Sequence, residues 1–477
     1  MIPLGRRRFL QSGAGLAALS VLTPWPGPAA AAAPVDLRIV TRTIEVNGKA
    51  AKVFGLLGPD GKPGLTFDAG DRFAVRLTNA TAEPALIHWH GLTPPNSQDG
   101  VPGVTQPHLH PGGSFTYDFP LDLPGTNWMH SHHSLQAQLL MSAPLIVRDP
   151  AEAGLDEQVA TVMLNDFTFR DPAEILEGLR HGQMVHMDHG TAMPGMNMEG
   201  MNMPGMAMPG GGHYNDIDFD AYLANDRTLD DPEVVGVEAG GQVRLRIINA
   251  AASSNFMIDL GSLIGELIAV DGRPILPLHA RRFALGMAQR ADIRLRLDGA
   301  GAWPVLFQRE GGRERTGIVL ATPGAAIPRL AGSADEAASG LDFLPGRVLP
   351  ARSPLPRRQA DRRIAIELAG NMMAYSWGLQ QADAGTGIIE VERDQRIEIE
   401  MINRSDMSHP MHLHGHHFQI VELNGQAVDG AVRDTELVYV NSRVTIAFDT
   451  GNPGRWMFHC HNLYHMLSGM MTEVRYT

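Results

Sequence analysis

Four short stretches hold most of the 20 histidines: HWHG at His88 and His90, HSHH at His130, His132 and His133, HPMHLHGHH from His409 to His417, and HCHNLYH from His459 to His465. Each contains a His-x-His pair. On a β-strand residues i and i+2 point to one face, so each pair can grip one metal site. Structural zinc needs four ligands per ion and usually draws on thiolates, whereas eight paired imidazoles suit a polynuclear redox copper site better.

The single cysteine, Cys460, sits between His459 and His461. The flanking histidines share one face of the strand and the thiol takes the other, so Cys460 addresses a different metal. His409 precedes it, His465 follows five residues later, and Met470 five after that. Two imidazoles, a thiolate and a weak axial thioether make a blue-copper electron-transfer site. The peptide bonds from Cys460 to its neighbouring histidines then form a short covalent route between the two centres. With one cysteine the chain makes no intrachain disulfide.

The elements that carry these ligands repeat. Alternating apolar and polar residues run through Arg72–Leu77, Gln242–Ile247 and Arg396–Met401, and each run ends at an asparagine, Asn79, Asn249 or Asn403. A period of two denotes half-buried strands, and three copies at domain spacing denote an internal repeat. His88 and His90 lie nine and eleven residues after Asn79, and His412 and His414 lie nine and eleven after Asn403. These pairs are equivalent, which predicts that His88 and His412 share one ion. In the middle copy the same positions are Ile258 and Leu260, which bind no metal. Likewise Pro124 leads by six residues to His130 and Pro453 by six to His459, while the middle copy offers a histidine-free strand near Gly301–Phe307. Dense glycine and proline with short alternating runs predict an all-β chain of sandwiches. Domains are expected at 35–150, 151–325 and 355–477, with a Pro/Arg/Ala-rich linker at 326–354.

HWHG, HSH, HPMHLHG and HCH-x3-H-x4-M, in this order, resemble the four copper signatures of multicopper oxidases, and the resemblance spans essentially the whole chain after residue 34. It implies three consecutive cupredoxin-like Greek-key domains, four copper ions per chain, and one-electron oxidation of a reductant coupled to four-electron reduction of O2 to water. Carried over residue by residue, it implies His409, Cys460, His465 and Met470 at a type 1 copper. His88 and His412 would hold type 2 copper, and His90, His130, His132, His414, His459 and His461 the type 3 pair. Asp99, eleven residues after His88, matches a family carboxylate beside the type 2 water and is expected to relay protons. Met466 stands where relatives carry an acidic residue, so proton supply must come from elsewhere. His133, His416 and His417 match no ligand position. Asn371-Met372-Met373 and the C-terminal LYHM-x3-GM are similar to bacterial copper-resistance oxidases. This suggests Cu(I) as reductant, with Asp406 and Met407 as an outer relay, although the family's acidic residue stands one position earlier, where this chain has Ser405.

Nine methionines, Met184, Met187, Met193, Met196, Met198, Met201, Met203, Met206 and Met208, crowd a Gly/Pro-rich insertion at about 181–213. No apolar period exists to bury them, and thioethers prefer the cuprous ion, so the segment is expected to supply Cu(I). Arg6-Arg7-Arg8-Phe9-Leu10, an apolar stretch too short to span a bilayer and the alanine run to Ala33 read as a Tat-type signal at 1–33, predicting export to a periplasm. The formal net charge of -13 gives no footprint for nucleic acid or an anionic membrane. A monomer without stable membrane insertion is expected. The rival readings are phenol oxidation of the laccase type, a copper buffer built on the methionines, a copper-free relative of the same fold, and a two-domain nitrite reductase. The filled ligand positions oppose the third and the four His-x-His pairs the last.

Overall fold

The computed structural model describes residues 33–182, 214–341, 348–381 and 387–477. The signal sequence and the methionines from Met184 to Met208 lie outside the described residues. Pro34–Thr477 forms one compact unit, built almost entirely of strands, with short helices at Pro172–Arg180 and Leu463–Leu467.

Six sheets come in three consecutive pairs. In each pair one sheet is organised around a strand of the repeat. Arg72–Asn79 lies parallel to Val35–Val46 and antiparallel to Ser114–Pro120. Gln242–Asn249 lies parallel to Gln158–Phe167 and antiparallel to Arg290–Arg296. Arg396–Asn403 lies parallel to Arg362–Asn371 and antiparallel to Arg443–Asp449. Parallel neighbours cannot be joined by a tight hairpin, so the chain crosses to the facing sheet in between and closes a sandwich. The terminal asparagines do the same work in all three copies. Asn79 donates to the carbonyls of Glu83 and Leu109, Asn249 to Ser254 and Leu285, and Asn403 to Met407 and Val438. Each Oδ1 accepts the amide two residues on, from Thr81, Ala251 or Ser405. A buried side-chain amide thereby satisfies the backbone where the ladder ends.

Alternation sets the cores. Phe73, Val75 and Leu77, then Val243, Leu245 and Ile247, then Ile397, Ile399 and Met401 are all fully buried, each such side chain contributing about 1.5–3 kcal/mol by leaving water. The middle strand departs from the half-buried expectation, because Arg244 and Arg246 on its other face are also buried. Both reach Asp292, at 2.7 and 3.1 Å, and Arg246 donates to Thr126 of the first sandwich at 2.8 Å. The polar face of this strand meets a neighbouring module instead of water, and paired charges let it do so.

The described residues of the Pro/Arg/Ala-rich stretch, 326–341 and 348–354, are likewise laid down on the protein. Gln308 donates to the carbonyl of Glu336, Glu310 accepts the amide of Leu341, and the Pro350 carbonyl accepts the amide of Leu276.

Candidate metal centres

Strand ends deliver the histidines. His88 ends the strand Ile87–His88, which pairs antiparallel with Gly125–Ser131 so that His88 lies opposite His130. In the third sandwich His409–Leu413 pairs with Arg455–Cys460, placing His412 opposite His459. The glycines that close HWHG and HLHG have a physical reason. Gly91 and Gly415 turn the chain out of the site at φ +94° and +65°. A Cβ on Gly91 would stand 2.5 Å from the Arg290 guanidinium, and one on Gly415 2.3 Å from the Trp456 ring.

All eight paired histidines converge in one buried cluster between the first and third sandwiches. His88 Nε2 and His412 Nε2 are 3.5 Å apart, inside the roughly 4 Å that two metal–nitrogen bonds of about 2 Å can span. His132, His414 and His459 offer nitrogens within 4.8 Å of one another, with His414 Nε2 and His459 Nε2 at 3.1 Å. His90, His130 and His461 form another trio, their ring centroids 5.0–5.7 Å apart. Further triads reuse His88, His412 and His414, so the whole is one polynuclear cluster of ligands and not a row of separate sites.

Outer hydrogen bonds fix which nitrogen faces inward. His88 Nδ1 bonds the carbonyl of Asp99 at 2.9 Å, His412 Nδ1 that of Asp434 at 2.8 Å, His130 Nδ1 that of Ser131 and His459 Nδ1 that of Cys460. His414 Nδ1 meets Asp99 Oδ2 at 2.8 Å. His90 is turned the other way, with Nε2 2.9 Å from Asp434 Oδ1 and Nδ1 buried without a partner. His132 Nε2 is equally orphaned. A protonated outer nitrogen leaves the lone pair of the inner one for a metal, the arrangement that metal-binding histidines generally show. Burial, with mutual repulsion, pushes His90, His130, His132, His412, His414 and His461 well below the ordinary histidine range, and burial pushes His459 down to about 4. These rings are neutral near pH 7, as ligands must be. Buried lone pairs aimed at one another with no donor between them fit copper as the group that would satisfy them.

On the other face of the strand Arg455–Cys460 lies a second, separate group. Cys460 Sγ is 3.7 Å from His409 Nδ1 and 3.9 Å from His465 Nδ1, and those two nitrogens are 3.2 Å apart. Met470, fully buried, accepts the Cys460 amide on its carbonyl at 3.0 Å and donates its own amide to His465. Burial pushes the Cys460 thiol up, so it ionises on taking up an ion.

Asp99, the residue that the family resemblance implies as a proton relay, is buried beside both His88 and His414. Met407, in contrast, is buried in the core and only Asp406 is exposed. Of the unassigned histidines, His416 donates or accepts against Tyr476 Oη at 2.6 Å, and His417 Nε2 lies 3.2 Å from the Gly91 carbonyl.

Several residues of the middle sandwich and its surroundings were not legible from the sequence. Arg290, fully buried, clamps Asp434 through both guanidinium nitrogens, at 2.7 and 2.5 Å, and donates to the Thr126 carbonyl of the first sandwich. Burial opposes the Asp434 charge, but Arg290 outweighs it and holds the carboxyl far below its usual range. Beside the cysteine group, Asp216 Oδ2 stands 3.3 Å from His465 Nε2 and accepts from Tyr375, while Trp377 stacks on His465 at 3.9 Å. No spacing rule marks a lone Asp or Arg as a neighbour of a distant histidine. Only the equivalence of the copies, which sets the middle module between the other two, hints at it.

Multicopper oxidase family models match residues 39–152, 161–328 and 357–477. The chain is 30% identical over 418 residues to "Multicopper oxidase MmcO" of Mycobacterium tuberculosis, covering 87% of this chain and 81% of the relative. It is 26% identical to "Copper resistance protein A homolog" of Pseudomonas syringae pv. tomato, over 98% of both chains. Its fold matches the crystal structure of Fet3p, a multicopper oxidase that functions in iron import, with a TM-score of 0.74 at 19% identity over 92% of this chain and 90% of that one. Converging imidazoles, a cysteine-centred group and three matching modules lead to one conclusion: the chain is a copper-binding oxidoreductase and belongs to the laccase-like multicopper oxidase family.

Proposed function

We propose that the protein is a cuprous oxidase serving copper tolerance, with four coppers per chain. His409, Cys460, His465 and Met470 hold type 1 copper, His88 and His412 type 2, and the trios His90/His130/His461 and His132/His414/His459 the type 3 pair. When bound, copper supplies one-electron redox chemistry at the first site and four-electron reduction of O2 to water at the second. Cys460 provides the thiolate, and its backbone links to His459 and His461 carry electrons between the faces of one strand. Asp99 orients His88 and His414 and offers a buried carboxylate for protons where Met466 offers none. One chain supplies every ligand, so the reading needs no partner subunit. We take the modules as 35–150, 151–325 and 355–477, and the export signal as 1–33. No helix among the described residues is long and apolar enough to cross a membrane.

The observation that carries Cu(I) is the position of the described residues on either side of the methionine-rich segment. On one side of it, Arg180 donates to the Leu467 carbonyl in the helix that carries His465, and on the other Asp216 faces His465 itself. Described residues on both sides of the segment therefore lie next to the type 1 group. Met373 nearby is 80% exposed, while His465 is buried beneath Trp377, which favours a small ion delivered through protein groups over direct contact with a bulky phenol. Asp406, which is exposed, and Met407, which is buried, serve together as the outer relay for the cuprous ion. Oxygen uptake with Cu(I) and with a phenol, compared between the wild type and a deletion of residues 184–208 at matched copper loading, tests the reading. Cuprous activity should fall while phenol oxidation holds or rises. Equal loss of both, or no change in either, would contradict it.

A further inference from the structure

Outside the two centres one more pair of imidazoles meets ring nitrogen to ring nitrogen. His108 Nε2 lies 2.9 Å from His133 Nδ1, with the rings nearly perpendicular at 80° and their centroids 4.4 Å apart. Neither ring belongs to the ligand sets above, and both are partly exposed. We propose that His108 and His133 form an accessory copper(II) site beside the cluster of paired histidines.

The separation is what selects the ion. Two metal–nitrogen bonds of about 2.0–2.1 Å at right angles set their nitrogens about 2.9 Å apart, against about 3.3 Å at a tetrahedral angle. The pair therefore matches the edge of the tetragonal geometry that Cu(II) prefers. The backbone is held for this. Ser131 Oγ accepts the His133 amide at 3.1 Å and in turn donates to Gln136 Oε1 at 2.8 Å. Gln136 Nε2 reaches Glu83 Oε2 at 3.4 Å. Glu83 and His133 both line an open hollow of about 660 Å³, where the carboxylate attracts cations and water can complete the coordination. His133 directly follows His132, which is less buried than the other seven paired histidines, so the site stands where the cluster comes nearest to solvent.

The test adds Cu(II) to copper-loaded holoenzyme, wild type and His108→Ala, and records difference electron paramagnetic resonance spectra. The wild type should develop one additional tetragonal signal with splitting from two nitrogens, at about one ion per chain. His108→Ala should lose that signal, or need at least tenfold more copper to show it. His110→Ala, which alters an exposed neighbour with no part in the pair, should keep it. The visible band and the thermal transition of both variants should match the wild type, which separates loss of this site from misfolding. Identical difference spectra for the wild type and His108→Ala, or a signal lost only in His110→Ala, would overturn the proposal. Because the readout is the added signal and not turnover, it is independent of which reductant the enzyme oxidises.

Discussion

The first and third sandwiches end their repeat strands at an asparagine and reach imidazoles nine and eleven residues later. The middle one makes the same turn, with the same hydrogen bonds, and reaches Ile258 and Leu260, both buried in the core. The scaffold is therefore indifferent to metal: two side chains per strand decide whether a position becomes a ligand or a packing residue. Yet the middle module is no bystander. It carries no paired imidazoles but supplies groups that position those of the other modules from outside, Arg290 on Asp434 and through it His90, and Asp216 against His465.

The largest expected effect comes from breaking that clamp. Arg290→Met leaves Asp434 as a buried unpaired carboxylate, a change of about 3–5 kcal/mol. Denaturant unfolding should register it, and His90, losing its fixed partner, should bind its copper less tightly. An unchanged unfolding midpoint together with full copper content would mean the middle module is only a spacer.

Substituting equivalent positions sharpens the contrast. Ile258→Ala removes core packing and should cost about 2–5 kcal/mol with copper content unchanged. His412→Ala should do the reverse, reducing copper bound per chain while the metal-free protein unfolds at nearly the wild-type midpoint. If Ile258→Ala lost copper in proportion to its stability, ligand geometry would depend on the middle core and the indifference claimed for the scaffold would fail.

A smaller, graded effect follows from pH. Histidines held neutral by burial, among them His459 and His416, both pushed down to about 4, titrate near 6.5 when unfolded. Above that pH neither state takes up the proton and these groups contribute no slope. As pH falls below it, the unfolded chain binds protons the folded one refuses, so stability drops by up to roughly 1.4 kcal/mol per pH unit per histidine until the folded groups titrate. The urea midpoint of metal-free protein should fall between pH 7 and pH 5.5. A flat profile would show that the cluster is open to water.

What the sequence made legible was whatever repeats or pairs at short range. Three alternating strands with three asparagines announced the modules, and i, i+2 histidines announced the cluster and separated Cys460 from it. What stayed illegible depends on packing that no local pattern records. Arg244 and Arg246 look like a solvent face because polar alternation normally is one, and nothing local says that another module covers it. Asp216, Asp434 and Arg290 act across interfaces on residues tens to hundreds of positions away, where spacing carries no information. Met407 follows an exposed aspartate in a turn, but its own side chain folds inward.

The central claim is that two metal groups lie back to back on one strand, eight imidazoles on one face and Cys460 with His409 and His465 on the other. Copper bound per chain in Cys460→Ser, read beside its visible spectrum, tests this most directly. The account predicts that the intense blue band and oxidase activity disappear while three of four coppers remain, because Cys460 touches only one group. A variant that stayed blue and active, or that lost the cluster coppers along with the first, would contradict it.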